Sequence, residues 1–302
     1  MRAVGIVGIA WALGCAAPPA AVEAPRLDAA VSSAAPPRAA ESEAASASPV
    51  ASAAPAATSG PDALSPPVDA PVALEVPGHL PAVVFVPGDA SAAAPRPLVV
   101  ATHGAGGTPE RHCAFWQRAV GGRAFVLCPR GRRLGMGDEP AFFYPDHHAL
   151  AREVAAAVDA LAARFGAAVD ARAAVYAGFS QGATMGALAL GELGDRFARA
   201  ALVEGGFAEW SVATARAFQA AGGRRVLFGC GRPKCSEPAR TSIRSLERGG
   251  VEARLVRDER TGHLLGGGLA RAVREALPWL VEGDERWRSF DVSTAESDTL
   301  DR

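Results

Sequence analysis

The residues best placed to do chemistry lie in one stretch, Ala173 to Leu190, which reads AAVYAGFSQGATMGALAL. It opens with an apolar run, Ala174-Val175-Tyr176-Ala177, long enough for a buried strand and too short for a helix. The chain then turns through Gly178-Phe179-Ser180-Gln181-Gly182 and enters a run of good helix formers carrying Met185, Leu188 and Leu190. A serine between strand and helix in a G-x-S-x-G setting is a candidate nucleophile. The sharp turn needs small neighbours where strand and helix pass closely, and it exposes the serine oxygen at the carboxyl end of a sheet. The backbone N–H of Gln181, first in the helix, points where an oxyanion would form. In a chain with 33 glycines a bare Gly-rich turn would give the same letters, so the surroundings must decide.

Attack by a serine needs a base, a group to orient that base, and a second oxyanion donor. Of the six histidines, His263 follows the last predicted strand in a glycine-flanked loop and is the candidate base. His147 and His148 are neighbours whose side chains are expected to diverge, which suits a helix start or a solvated face. His103 precedes the glycine-rich turn Gly104–Gly107. No H-E-x-x-H or similar cluster is present, so neither a metal nor another cofactor is expected.

These residues need a scaffold, and the apolar pattern supplies one. Val72–Val76 and Ala82–Val86, split by Pro77-Gly78, read as an antiparallel hairpin. Strands follow at Leu98–Thr102, Arg123–Cys128, Ala174–Ala177, Ala200–Val203, Arg225–Gly229 and Val251–Val256. Helices are predicted over 109–120, with Thr108 as N-cap and Pro109 first, and over 146–165, 208–221, 237–248 and 269–281, besides the one after Ser180. Strands alternating with helices predict an α/β fold with a mostly parallel sheet covered on both faces.

Across about residues 72–282 this order resembles the α/β-hydrolase family, most closely its carboxylesterase and dienelactone-hydrolase branch. The resemblance rests on G-F-S-Q-G at 178–182, H-G-A-G-G at 103–107 and the histidine after the last strand. It implies a serine hydrolase of small to medium esters working through an acyl-enzyme. Ser180 would be the nucleophile, His263 the base, and the amides of Ala105 and Gln181 the oxyanion hole. His103 would be structural. The acid departs from the family pattern: the loop after Arg225–Gly229 reads Cys230-Gly-Arg-Pro-Lys-Cys235 and holds no carboxylate. Glu204, at the end of the preceding strand, is preferred, because some lipases of this fold carry their acid there. Glu237 is the other candidate, although a first-turn helix residue suits it equally. Asp258 and Glu259 are expected to be solvated. Trp116, Phe142, Phe143 and Tyr144 would either wall an acyl pocket or pack. A peptidase or amidase on the same fold, and an inactive hydrolase fold acting as a binding protein, are the rival readings.

Residues 1–15, MRAVGIVGIAWALGC, have Arg2, an apolar run and Leu13-Gly14-Cys15. They resemble a bacterial lipoprotein signal, in which Cys15 would take the lipid, with an ordinary cleaved signal peptide as the rival, and they are too short to span a bilayer. Residues 16–71 are nearly all Ala, Pro, Ser and Glu and read as a disordered tether. The folded domain is placed at 72–283, and 284–302 is expected to be a fraying polar tail. An exported, membrane-anchored protein follows as the expectation. Four cysteines remain besides Cys15, and two disulfides, Cys113–Cys128 and Cys230–Cys235, fit such a compartment. A four-cysteine zinc site is the rival, but the spacing lacks a paired C-x₂-C pattern. A net charge of −1 gives no reason to expect nucleic acid or an anionic membrane surface as a partner. Lys234 is the one lysine, and with the heavy alanine content that bias looks genomic.

Overall fold

The computed structural model describes residues 70–288. The signal-like segment with Cys15, the tether up to residue 69 and the tail beyond 288 lie outside the described residues. No helix among the described residues is long and apolar enough to cross a membrane.

In chain order the main elements are β1 (Val72–Leu74), β2 (Ala82–Phe85), β3 (Arg96–Thr102), α1 (Pro109–Ala119), β4 (Phe125–Cys128), β5 (Arg132–Arg133), β6 (Phe142–Phe143), α2 (His147–Phe165), β7 (Val169–Phe179), α3 (Gln181–Ala189), β8 (Phe197–Val203), α4 (Val212–Ala220), β9 (Arg225–Cys230), α5 (Pro233–Arg248), β10 (Glu252–Arg257) and α6 (Gly267–Val281). Eight strands form one sheet in the order β1-β2-β4-β3-β7-β8-β9-β10. The pairs β1–β2 and β2–β4 are antiparallel, and every later pair is parallel.

The strand side chains explain why both faces must be covered. Along β3, Leu98 and Val100 enter one apolar core while Val99 and Ala101 enter the other. That is the period-two alternation of a strand with no solvated side. The first core packs beneath α2, α3, α4 and α5, through residues such as Leu150, Ala183, Phe218 and Leu246. The second packs beneath α1 and α6, through Phe115, Trp116, Val273 and Leu280.

Several boundaries differ from the periodicity. Thr108 holds the extended N-cap position of α1, but its side chain makes no capping bond. Asp146 does cap α2, accepting from the Ala149 N–H at 2.7 Å. β7 starts at Val169, five positions before its apolar run, because its polar start pairs with Arg96 and Pro97 at the amino end of the neighbouring central strand β3. α4 is shorter than predicted, starting at a capping box made by Ser211 and Thr214. α5 begins at Pro233 rather than at Glu237. The Gly131–Tyr144 loop holds the small antiparallel pair β5–β6. The tail is packed at its start: Glu285–Trp287 forms a 3₁₀ turn and Trp287 is buried.

Both expected disulfides are present, with Cα separations of 5.8 Å for Cys113–Cys128 and 5.6 Å for Cys230–Cys235. The first ties α1 to the end of β4. The second ties the end of β9 to the first turn of α5.

Candidate functional site

β7 runs straight into the turn that holds Ser180. The Ser180 N–H still donates to Val203 O of β8 at 2.9 Å, after which the backbone reverses into α3 with φ 51° and ψ −114° at Ser180. That is a costly conformation for a residue with a Cβ, of order 1–3 kcal/mol, and it persists only where the surroundings impose it. Here they do. A Cβ on Gly178 would stand 2.6 Å from the Ala183 Cα, and one on Gly182 2.6 Å from His103 O, so only glycine lets strand, turn and helix pass this closely. Beneath the turn, the buried Tyr176 hydroxyl donates to Gly182 O at 2.8 Å and accepts from Thr102 at 2.6 Å. Burial pushes that phenol's pKa up, so it stays a donor.

Three residues from three loops meet at this edge. Ser180 Oγ lies 2.8 Å from His263 Nε2, and His263 Nδ1 lies 2.7 Å from Glu204 Oε2. Glu204 also has a left-handed φ of 56°, and its N–H donates to Gly229 O at 2.8 Å. The Glu204 side chain is fully buried, whereas that of His263 is 40% exposed. The chain of bonds thus starts on a sequestered carboxylate and ends on an accessible hydroxyl. Glu237 is not part of it; its side chain is 78% exposed and pairs with Arg244.

The glycine turn lies against the serine. A Cβ on Gly104 would sit 3.1 Å from the Ser180 Cβ. Gly107 N–H donates to Gly104 O and Gly106 N–H to Phe142 O, each at 2.9 Å, which fixes the turn carrying Ala105. Neither the Ala105 nor the Gln181 amide donates to a backbone carbonyl among the described residues. His103 is buried, with its ring nitrogens against Gly104 O and Arg130 O and its ring stacked on Tyr144 at 4.8 Å. Burial lowers its pKa.

The structure also supplies what sequence reading missed. Glu204 is caged by the disulfide-stapled loop: Gly231 N–H donates to Oε1 at 2.6 Å, Arg232 N–H to the same oxygen at 3.2 Å, and Arg232 Nε to Oε2 at 2.5 Å. Gly231 O in turn accepts from Gly262 N–H at 2.9 Å, tying that loop to the one carrying His263. Asp258 is less solvated than expected: it takes the Thr261 hydroxyl at 3.1 Å and shapes the His263 loop. The Gln181 side chain accepts from Tyr144 N–H at 2.9 Å. The short Cys-x₄-Cys spacing was the available signal for the cage, and its donors are backbone groups that no side-chain pattern advertises.

Of the aromatic side chains left open between pocket wall and packing, three pack, and the expectation for the histidine pair needs correction. Trp116 does not wall a pocket at this edge. It is a fully buried residue of α1 and donates through Nε1 to His112 at 3.2 Å. Burial lowers the His112 pKa to about 3, keeping that ring neutral and able to accept. Tyr144 is likewise fully buried, donating to Pro129 O. Phe142 is buried too, beneath the Arg130 guanidinium, and Phe143 is half-buried. His147 and His148 do not diverge; their ring centroids are 3.9 Å apart and both face Glu192.

No protein-family model matches the chain, and no curated protein matches it. Solved structures do. Similarity to TT1662 from Thermus thermophilus covers 70% of this chain and 98% of that one, at 18% identity and a TM-score of 0.52. A thermostable esterase matches at 22% identity and 0.51, over 70% of this chain and 62% of its own. A carboxylesterase from Mesorhizobium loti matches at 19% and 0.50, over 68% and 98%. At such identities the likeness concerns architecture alone. The mostly parallel eight-stranded sheet, its two helical layers and these structural relatives together give the chain the α/β-hydrolase fold.

Proposed function

We propose that this protein is a serine hydrolase that cleaves small to medium carboxylic esters through an acyl-enzyme. The observation that carries this reading is the bonded series Ser180–His263–Glu204, at 2.8 and 2.7 Å, hung on a left-handed strand-to-helix turn. His263 Nε2 takes the Ser180 proton as Oγ attacks the ester carbonyl carbon. Glu204 holds the imidazole in the tautomer with Nδ1–H and offsets its charge once protonated. The carbonyl oxygen becomes an oxyanion, received by the amides of Ala105 and Gln181, each such donor contributing about 3–4 kcal/mol to the transition state. Collapse expels the alcohol, which leaves with the proton from His263. Water then repeats the sequence on the acyl-serine and releases the acid. The solved relatives described as esterases support an ester substrate. Among the described residues no insertion is large enough for a lid domain, which favours small soluble esters over long lipid chains.

The proposal extends to location. Residues 1–15 would direct export, Cys15 would carry the lipid, and 16–71 would space the domain from the membrane, where the two disulfides are stable.

The test is labelling by a fluorophosphonate probe with p-nitrophenyl acetate turnover on the same samples, wild type beside Ser180→Ala. Labelling and turnover that both vanish in the variant are expected. A well-folded wild type that does not label overturns the reading in favour of a binding protein.

A further inference from the structure

Away from Ser180, His147, His148 and Glu192 bring one ligand atom each to within 4.8 Å of one another. We propose that they bind one divalent transition cation, best matched by zinc, and that the ion ties the start of α2 to the turn after α3. The ligating atoms would be His147 Nε2, His148 Nδ1 and Glu192 Oε1, with solvent completing the shell. His147 Nε2 and Glu192 Oε1 stand 3.5 Å apart. Tetrahedral zinc, with bonds of about 2.0–2.2 Å, needs neighbouring ligand atoms about 3.4 Å apart. His148 Nδ1 touches the same oxygen, so a small rotation of the part-exposed Glu192 opens that gap for an ion.

The donor set selects the cation. Two imidazoles and one carboxylate suit zinc, copper or nickel, whereas magnesium and calcium take oxygen. The backbone beneath the ligands is fixed at each end. His147 and His148 are the first residues of α2, set by the Asp146 cap. The turn of Glu192 is held by its own N–H and that of Leu193, both donating to Ala189 O at 2.9 and 3.0 Å. A site on such supports needs little ordering on binding. This inference does not depend on the ester reading.

Chelator-treated full-length protein would be titrated with zinc chloride by calorimetry, beside His148→Ala and Glu192→Gln. One equivalent bound by the wild type is expected, with affinity at least ~10-fold lower in each variant, since losing even an outer-shell partner of a metal ligand costs that much. Cobalt(II) in place of zinc should give visible d–d absorption in the wild type that both variants lose. Fluorophosphonate labelling and far-UV circular dichroism of the metal-free variants should match wild type, which shows them folded. A wild type that binds no zinc overturns the proposal. So does undiminished binding in either variant, which would move the ion to other ligands such as His263 and Glu204.

Discussion

The two edges of the sheet carry similar ingredients and differ in what they do with them. At the carboxyl edge, Ser180 and Glu204 have left-handed backbones, and a buried carboxylate is paired with Arg232. At the amino edge, Ala173 has φ 45° and buried Asp284 pairs with buried Arg199 at 3.1 Å. Arg286 there bridges Asp284 and Asp170. That edge also has a 780 Å³ groove lined by Pro95, Asp159, Ala162, Val169, Asp170 and Arg196 among others. The distinction lies in direction. At the amino edge, charge answers charge and the network closes on itself, leaving Arg199 Nε without an acceptor. At the carboxyl edge the bonds run outward, from an enclosed carboxylate through a half-exposed imidazole to a hydroxyl that a substrate can reach. Strain, buried charge and volume therefore do not mark a site unless a reactive atom stands at the end of the chain.

Removing one carboxylate charge from each edge gives the largest expected contrast. Glu204→Gln should lower kcat about 10⁴-fold, because the imidazole loses its tautomer control and its counter-charge. Asp284→Asn should leave kcat within about twofold. Asp284→Asn leaves the buried Arg199 short of a carboxylate and should cost about 3–5 kcal/mol of stability, whereas Glu204→Gln leaves the half-exposed Arg232 and should cost less. Ester kinetics at a temperature where both variants are folded, with urea unfolding on the same samples, separates the two effects. A folded Asp284→Asn protein with kcat as low as Glu204→Gln would break the comparison.

The disulfides sharpen it at a smaller scale. Cys113–Cys128 closes 15 residues and Cys230–Cys235 closes 5. Loop-closure entropy assigns them about 3 and about 2 kcal/mol respectively. The weaker staple is the one that holds Gly231 and Arg232 against Glu204. Replacing Cys230 and Cys235 by alanine should therefore lower kcat about tenfold, by loosening a hydrogen-bonded cage of the kind that orients reacting groups. The same change at Cys113 and Cys128 should lower the urea midpoint more and leave kcat unchanged. Equal kcat in both double variants would show that the cage needs no staple.

What the sequence disclosed follows from how local each signal is. The central strands were legible because parallel strands buried on both faces read as unbroken apolar runs, as Leu98–Ala101 does. The turn at Ser180 was legible because its glycines are required sterically at fixed offsets. Glu204, preferred from the sequence over Glu237, is the one the structure brings to His263, and that preference came from position at a strand end. The cage around it was not legible, since Gly231 contributes only an N–H and a C=O, which every residue owns. Nor were the convergence of His147 and His148 or the burial of Trp116, since both depend on how α1, α2 and α3 pack over long sequence separations. Polar strand starts such as Val169–Ala173 were missed for the opposite reason: ladder bonds with a neighbour hold them, with no apolar pattern of their own.

Acid titration gives the smallest expected effect and probes the amino edge through Asp284. The Arg172 side chain, through its hydrogen bonds, holds Asp170 below its ordinary value of 3.8. Burial pushes Asp284 upward, but the hydrogen bonds and charge of Arg286, with Arg199, outweigh it and leave its pKa lowered. Unfolded carboxylates therefore take up protons that the native ones refuse. The stability these groups contribute is present above pH 3.8 and is lost as pH falls through that value toward their folded pKa. Each carboxylate takes up at most one proton, which limits its own slope to about 1.4 kcal/mol per pH unit, and solvent at the pairs' outer ends keeps the contribution lower. His112 adds a separate limb. Its folded pKa of about 3 lies below the ordinary 6.5, so the unfolded chain gains a proton between these values and stability falls with pH across that range. Urea midpoints measured from pH 3 to 7 should thus decline in two stages. Asp284→Asn should run below wild type but parallel to it above pH 4.5, keeping the histidine limb, and should be flatter below pH 4. Curves parallel throughout would mean that Asp284 titrates alike in both states. Asp284 would then hold this edge through hydrogen bonding and packing, and the likeness between the two edges would end at their geometry.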